Sequence, residues 1–236
     1  MADRRRVPVP QVVEQALDAA LDRALAVQRP VVLAHLDRVR RKHPATTPAQ
    51  LVDRLEHQYL MAVVGLGGAS GAAAALPGAG TAAALASGAA EITAFVSASA
   101  MFVLALAELH QIPVSDPQVR RALVLSVLVG EGGVAALQDA AGHRVGADVR
   151  WAHVLGKRAA PDKDKITSLN GYLGRLLLRR MGTRQSALLV GRALPLGIGA
   201  AIGAGGNAAL ARTAIRSARA VFGSPPKSFP PKVVDA

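Results

Sequence analysis

The sequence predicts an all-α fold, a helical bundle built around two Gly/Ala-rich apolar helical hairpins that turn at Leu-Pro sequences. Apolar residues recur at the three- and four-residue spacing of amphipathic helices, and no segment shows the strict alternation of a half-buried strand. Among the 236 residues, 48 are Ala and 23 are Gly, whereas only 3% are aromatic. A core with so few large side chains is filled by bringing helix backbones close together.

The N-terminal part predicts a short tail followed by two helices. Residues 1–10 contain three consecutive arginines and no apolar segment typical of a secretory signal, so we expect a flexible basic tail. An amphipathic helix follows over about residues 11–28. Pro30 should kink or restart the helix because proline lacks an amide donor. The cations at 38–42 suit the negative end of the next helix.

The first apolar hairpin begins at a capping box, Thr47–Gln50, with Pro48 at the first helical position. Leu60–Ala90 contains 31 residues without one formal charge. A Leu-Pro-Gly sequence within it, at 76–78, marks a turn. We therefore expect two apolar helices, at roughly residues 48–75 and 80–110.

Small residues in this hairpin recur at four-residue spacing, as in Gly67 and Gly71 or Ala84 and Gly88. This spacing allows two helices to approach closely, as in membrane helix pairs. Each arm has the roughly 20 residues that cross a bilayer, but Ala and Gly insert weakly. We expect a buried or partly embedded hairpin in preference to one that spans the membrane.

The middle of the chain predicts further helices separated by breakers. Asp116-Pro117 begins a helix that closes at the glycines of 130–133, and a short helical piece follows. Residues 142–161 are the least regular part. An amphipathic helix is expected over about 164–181, and Gly182-Thr183 should interrupt it before the helix resumes.

The second apolar hairpin turns at Leu194-Pro195-Leu196-Gly197, which resembles the first turn. Ala193–Ala211 contains 19 uncharged residues, and its helix should end near Phe222. We expect a single helical domain over residues 11–222. The four prolines of residues 223–236 predict a disordered tail.

The net charge of +12 lies entirely in the C-terminal part of the chain. Residues 1–143 contain 12 cationic and 12 acidic side chains, whereas residues 144–236 contain 16 and 4. A GC-rich genome would explain the excess of Arg over Lys, but not this segregation. Such a basic half suggests an anionic partner, and scarce aromatic residues make nucleic acid less favoured than anionic membrane lipid. A membrane protein complex is an alternative partner. The candidate membrane-surface residues are Arg175, Arg179, Arg180, Arg184, Arg212, Arg216 and Arg219.

No catalytic, cofactor or metal site is predicted. The chain has no cysteine, which excludes disulfides, thiolate zinc sites and cysteine nucleophiles. The six histidines show no metal-binding spacing. The glycine runs at 65–68 and 203–206 lack the preceding strand and the Gly-Lys-Ser/Thr of a phosphate-binding loop, so helix packing explains them better.

Two carboxylates, Glu91 and Glu108, lie in or beside the apolar segments and would cost free energy if buried without a partner. The favoured interpretation is a buried pairing with Arg192, which directly precedes the second apolar segment. The alternative is a polar pocket in which these three residues contact an ion or a substrate.

Several motifs follow one another over roughly residues 48–222: His57-Gln58-Tyr59, Leu76-Pro77-Gly78, Glu108-Leu109-His110, Asp116-Pro117, Gly191-Arg192-Ala193-Leu194-Pro195-Leu196-Gly197-Ile198-Gly199-Ala200 and Asn207. Their order resembles that of the EcsC family of bacterial proteins. In that family a glycine more often follows the histidine, whereas this chain has Gln111. The resemblance implies a helical, membrane-associated protein and supplies no catalytic residues.

Two functions of different classes are compatible with the sequence. The preferred hypothesis is a non-enzymatic protein on the cytoplasmic face of the cell membrane, peripheral or partly embedded, whose basic C-terminal half binds anionic lipid. The alternative is a soluble helical enzyme or ligand-binding domain with a polar pocket around Glu91, Glu108 and Arg192.

Overall fold

The computed structural model describes residues 11–26, 29–74, 81–112, 114–140, 163–191 and 198–229. In these ranges the chain forms eight α-helices and no strand, which confirms the predicted all-α class. The helices are α1 (Gln11–Leu25), α2 (Arg29–Lys42), α3 (Pro48–Ala74), α4 (Thr81–Leu109), α5 (Pro117–Val129), α6 (Glu131–Ala140), α7 (Lys163–Gly191) and α8 (Ile198–Phe222). The two Leu-Pro turns, the basic tail 1–10 and the irregular stretch 142–161 lie outside the described residues.

Local sequence signals determine where several helices begin. At α3 the Thr47 amide donates to Gln50 Oε1 (3.0 Å) and the Gln50 amide donates to Thr47 Oγ1 (3.3 Å), which is the predicted capping box. At α5 the Asp116 carboxylate accepts from the next two free amides. The second helix begins at Arg29, with Pro30 in its first turn, where the missing amide hydrogen has no helical partner to lose.

Helix α4 ends in a Schellman motif. The Gln111 amide donates to the carbonyl of Glu108, and the Ile112 amide donates to the carbonyl of Ala107. Gln111 has a φ of 55°, and it is the only non-glycine residue with a positive φ in the described part of the chain. This left-handed conformation is the one that glycine adopts without strain.

The predicted interruption at Gly182-Thr183 is wrong, because α7 continues without a break from Lys163 to Gly191. A glycine in a helix interior costs only about 1 kcal/mol relative to alanine, which neighbouring turns can offset. The first part of the C-terminal tail, residues 223–229, belongs to the described part of the chain. The Phe229 ring packs against the core and lies 4.3 Å from the Arg40 guanidinium carbon, while residues 230–236 lie outside the described part.

The core is aliphatic and centred on α4 and α5. Residues Ala122 to Leu128 of α5 are all buried, because α5 contacts α4, α6, α7 and α8. Tyr59 stacks on Phe102 with ring centroids 4.6 Å apart, which joins α3 to α4. The most extensive helix pair is α3 with α8, where alanine and glycine allow close approach.

The cross-helix contacts give the direction of each helix. Glu56 pairs with Arg219 and Val63 contacts Asn207, so α3 and α8 run antiparallel. Tyr59 contacts Ser99, whereas Asn207 connects Val63 to Glu91, so α3 and α4 are also antiparallel. The C-terminus of α3 therefore lies at the same end of the bundle as the N-termini of α4 and α8. We call residues 60–74, 81–90 and 198–211 the uncharged end, since they contain no formal charge.

One helical segment in the described part of the chain, Ala90–Leu109 of α4, is long and apolar enough to cross a membrane. Within this segment 67% is buried inside the protein, so much of its apolar surface already packs in the core. The same length and composition are found in core helices of soluble proteins.

Candidate functional site

Several cations of the chain are used internally. Arg29 forms a two-bond ion pair with Glu108, with Nε 2.7 Å from Oε1 and Nη2 3.1 Å from Oε2. Arg121 bridges from α5 to Asp18 and Asp22 on α1 at 3.2 and 3.3 Å. These pairs tie α1 and α2 to the core helices.

Arg219, one of the predicted membrane-surface residues, is also engaged. Its Nε donates to Glu56 Oε1 at 2.7 Å and its Nη2 donates to Glu56 Oε2, while Asp53 lies 4.0 Å away. The hydrogen bond to the Glu56 carboxylate, together with its charge, raises the pKa of Arg219. The Glu56 side chain is only 8% exposed, so this arginine neutralises a buried acid and holds α8 to α3.

Four other predicted residues are exposed. Arg175 and Arg179 lie one turn apart on α7, and Arg212 and Arg216 lie one turn apart on α8. None of the acidic side chains that the structure describes lies within ion-pair distance of these four arginines. Arg184 lies on α7, but its side chain is outside the described part.

The remaining predicted arginine, Arg180, is half-buried at the corner between α5 and α6. Its Nη1 donates to the carbonyl of Val129 at 2.6 Å. Gly130 next to it has a φ of 90°, and a Cβ there would lie 2.8 Å from Arg180 Nη1 and 3.0 Å from Thr213 Cγ2. Burial and the nearby charge of Arg216 lower the pKa of Arg180.

The two predicted buried carboxylates have different partners. Glu108 pairs with Arg29, whereas Glu91 accepts from Asn207 Nδ2 at 3.0 Å. The same Asn207 amide nitrogen donates to the carbonyl of Val63 at 3.1 Å. Glu91 and Glu108 are separated by 17 residues of one helix, about 25 Å. They are too far apart to line one small pocket, and Arg192 lies outside the described residues.

Comparisons with known proteins were made by family model, by sequence and by structure. No family model, curated protein or solved structure matches this chain. Within the part of the chain that the structure describes, no group of three His, Asp or Glu side chains could hold a metal ion. The interpretation of the site therefore depends on its own geometry.

Sequence reasoning missed the partners of these residues. Asn207 is the single amide in the second apolar segment, and a lone amide among alanines indicates a buried hydrogen bond. The Gly130 corner had a detectable signal in its glycine-rich sequence, but nothing local indicated that Arg180 would reach it, 50 residues later.

Proposed function

We propose that the protein is a non-enzymatic, membrane-associated helical protein of EcsC type. It binds the anionic inner surface of the cell membrane through its basic C-terminal half, as a peripheral or partly embedded protein. The observation that carries this proposal is the position of exposed arginines, without an acidic partner among the described residues, beside the uncharged end of the bundle.

The first support is the end of the bundle itself. Three helices bring uncharged Ala/Gly-rich segments to one end of the bundle. The exposed face of α3 at this end includes Met61, which is 56% exposed, together with Ala62 and Gly65. Because alanine and glycine gain little from insertion, this end is suited to contact or shallow embedding. A stable anchor then needs an additional contribution.

The second support is the charge next to that end. Arg212 is the first charged residue after the uncharged part of α8, and Arg216 follows one turn later, about 6 Å along the helix. Arg180 on α7 packs at the level of Thr213, with Arg179 beside it in sequence. Each cation near an anionic leaflet contributes about 1 kcal/mol, so the four exposed arginines would supply about 4 kcal/mol, roughly a thousandfold in partitioning.

The test is sedimentation of the purified protein with vesicles of phosphatidylcholine, with and without phosphatidylglycerol. We expect binding only to the anionic vesicles, weakened by salt because screening shortens the range of the charges. Replacing Arg175, Arg179, Arg212 and Arg216 by Gln should abolish most of this binding. A matched variant with the same loss of charge elsewhere replaces Arg23, Arg38, Arg41 and Lys42, which lie on α1 and α2.

The two variants separate a localised surface from general attraction. The control cations lie on helices that pack near the Glu108 end of α4, opposite the uncharged end, so their loss should affect binding much less. Equal losses in both variants would contradict the assignment of the surface. Cell fractionation gives a second check, because a protein found wholly in the soluble fraction before any wash would exclude membrane association.

A further inference from the structure

Helix α8 lies between α3 and α7 on one side of the bundle. Its Arg219 pairs with α3, and its Thr213 lies beside the Arg180 side chain of α7 at the corner between α5 and α6. At about 100° per residue, Arg212 and Arg216 lie on the arc of α8 between the residues that contact α3 and α7. These two exposed arginines therefore point out of the bundle, with α3 on one side and α7 on the other.

The exposed arc of α7 next to α8 carries an aromatic ring and two cations. On this helix Asn170 donates to α5, whereas Arg180 points towards α8. Beyond this α8-facing position, on the side away from α5, follow Tyr172, Arg179 and Arg175, at about 80°, 100° and 140° around the helix. Tyr172 is 46% exposed, and its hydroxyl bonds to none of the described residues. These side chains therefore face the same way as the exposed arginines of α8.

Met61 takes the matching position on α3. On this helix Glu56 and Asp53 face α8, whereas Tyr59 faces α4. Met61 follows Asp53 around the helix, on the side away from Tyr59, and is 56% exposed. Its neighbour Ala62 is also exposed but lies on the α4 side of α3. Met61 therefore borders the exposed arginines of α8 from the side opposite to α7.

We propose that α3, α8 and α7 form one membrane-contact face, on which the bundle lies with its long axis parallel to an anionic bilayer. We call this surface the lateral face, and it consists of Met61, Tyr172, Arg175, Arg179, Arg212 and Arg216. The four arginines contact head-group phosphates, while the side chains of Met61 and Tyr172, at the two edges, enter the apolar part of the interface. This inference rests on the proposed membrane association and adds its orientation and two contact residues.

The positions of the arginines along the helices favour this orientation. Arg216 lies 18 residues after Ile198, where α8 starts at the uncharged end, which is about 27 Å along the helix. Charges act over only about 8 Å at physiological ionic strength. A bundle standing on its uncharged end would therefore use Arg216 only if about 20 Å of that end entered the lipid, although Ala and Gly gain little from insertion. On the lateral face, the arginines of both helices reach the lipid together.

The composition of the lateral face matches a lipid interface. Tyr172 has an apolar ring and a polar hydroxyl, which suits the boundary between head groups and acyl chains. Counting Glu56, Asp53 and Arg219 at the seam between α3 and α8, the face holds five arginines and two acids, a net charge of +3. Neighbouring helices pack 8–10 Å apart, so Met61 and Tyr172 border a face about 20 Å wide.

The first experiment measures which side of the bundle meets the lipid. The chain has no cysteine, so one introduced cysteine can carry a nitrobenzoxadiazole label, whose emission depends on polarity. Four full-length variants are labelled at exposed positions, Met61→Cys, Tyr172→Cys, Ala62→Cys and Ala19→Cys, the last on α1, which packs against α4. With phosphatidylglycerol vesicles we expect a blue shift and lower quenching by acrylamide for the labels at 61 and 172. The matched labels at 62 and 19 should stay in water.

Each other pattern decides against the lateral face. Shifts at 61 and 62 without one at 172 would show that the uncharged end enters the lipid instead. Vesicle-bound protein with no shift at 172, or with equal shifts at all four positions, would overturn this orientation and leave membrane association intact. Failure of the unlabelled wild type to sediment with anionic vesicles would refute the proposed function itself.

The second experiment compares two unlabelled variants that lose the same charge, Arg175→Gln and Arg212→Gln. Helix α7 runs parallel to α5 and towards the uncharged end, so Arg175 lies further from that end than Arg212. On the lateral face both arginines meet the lipid, and each substitution should weaken binding to phosphatidylglycerol vesicles about fivefold. A loss for Arg212→Gln with none for Arg175→Gln would contradict the lateral face, as would the absence of any loss in both variants.

Discussion

Tyr59 allows a sharp test of the packing between α3 and α4. Its hydroxyl lies 2.9 Å from Ser99 Oγ, and Ser99 donates its own proton to the carbonyl of Phe95 at 2.7 Å. Because a serine hydroxyl has one proton, Tyr59 must be the donor to Ser99. Tyr59 is 3% exposed, and burial raises the pKa of its hydroxyl to about 12.

The sign and size of the pH effect follow from this pKa. In the unfolded chain tyrosine has a pKa of 10.0, so the folded state holds its proton more tightly. The contribution to stability is complete below pH 10 and is lost as the pH rises towards 12. A shift of this size corresponds to about 3 kcal/mol in the free energy of unfolding.

The test is denaturant unfolding across this pH range for the wild type, Tyr59→Phe and the control Tyr172→Phe. Tyr59→Phe should be about 1 kcal/mol less stable near neutral pH, because it leaves Ser99 without a donor. It should become the more stable protein near pH 12, since it has no buried phenol to ionise. Tyr172 is 46% exposed, so its variant should follow the wild type throughout. Parallel curves for wild type and Tyr59→Phe would refute the reasoning.

Four further predictions concern stability, each measured by denaturant unfolding. Gly130→Ala should lower the free energy of unfolding by about 1–3 kcal/mol, because alanine is strained at a φ of 90°. The control Gly132→Ala should be neutral or stabilising, because a Cβ added there would meet no other atom within 4 Å. Equal losses of stability in the two variants would contradict backbone strain at Gly130. Gln111→Gly should stabilise by up to about 1 kcal/mol by relieving its left-handed conformation, and a loss of stability would argue against it. A double-mutant cycle with Glu56→Gln and Arg219→Gln should give a coupling free energy of about 1 kcal/mol, which is modest because Arg219 is largely exposed. Additive effects of the two substitutions would contradict a stabilising ion pair between these residues. Burial, with the charge of Arg38, lowers the pKa of His35, so the contribution of the neutral imidazole to folding stability is complete above pH 6.5 and is lost as the pH falls. The variant His35→Gln should therefore lose less stability in acid than the wild type. An acid transition at the same pH in both proteins would contradict this role of His35.

Signals that act within a few residues were readable from the sequence. The capping box at Thr47, the Asp116 cap and the restart near Pro30 each depend on neighbouring backbone groups, so local chemistry was sufficient. Gly182 shows the limit of this reasoning, because tertiary packing outweighed a weak local preference. The helical class followed from periodicity, which survives any arrangement of the helices.

The partners of the charged residues could not be read in the same way. Exposure of Arg175 and Arg179 follows from the helix face on which they lie, opposite the apolar stripe. By contrast, Glu108 meets Arg29 across 79 residues, and Arg219 meets Glu56 across 163. Such pairs depend on which helices are neighbours and on their register, and no periodicity of a single helix contains that information.

The contact between α3 and α8 also limits when α3 can pack during synthesis of the chain. The carbonyl of Val63 can accept its hydrogen bond only after Asn207 has been synthesised, 144 residues later. At the usual 5–20 residues per second, synthesis of that stretch takes roughly 7–30 s. During this interval the small-residue face of α3 has no α8 to cover it, and the nascent chain presents the uncharged parts of α3 and α4 before α7 and α8 exist. Helix α8 therefore covers this face of α3 only after the other described helices have been made.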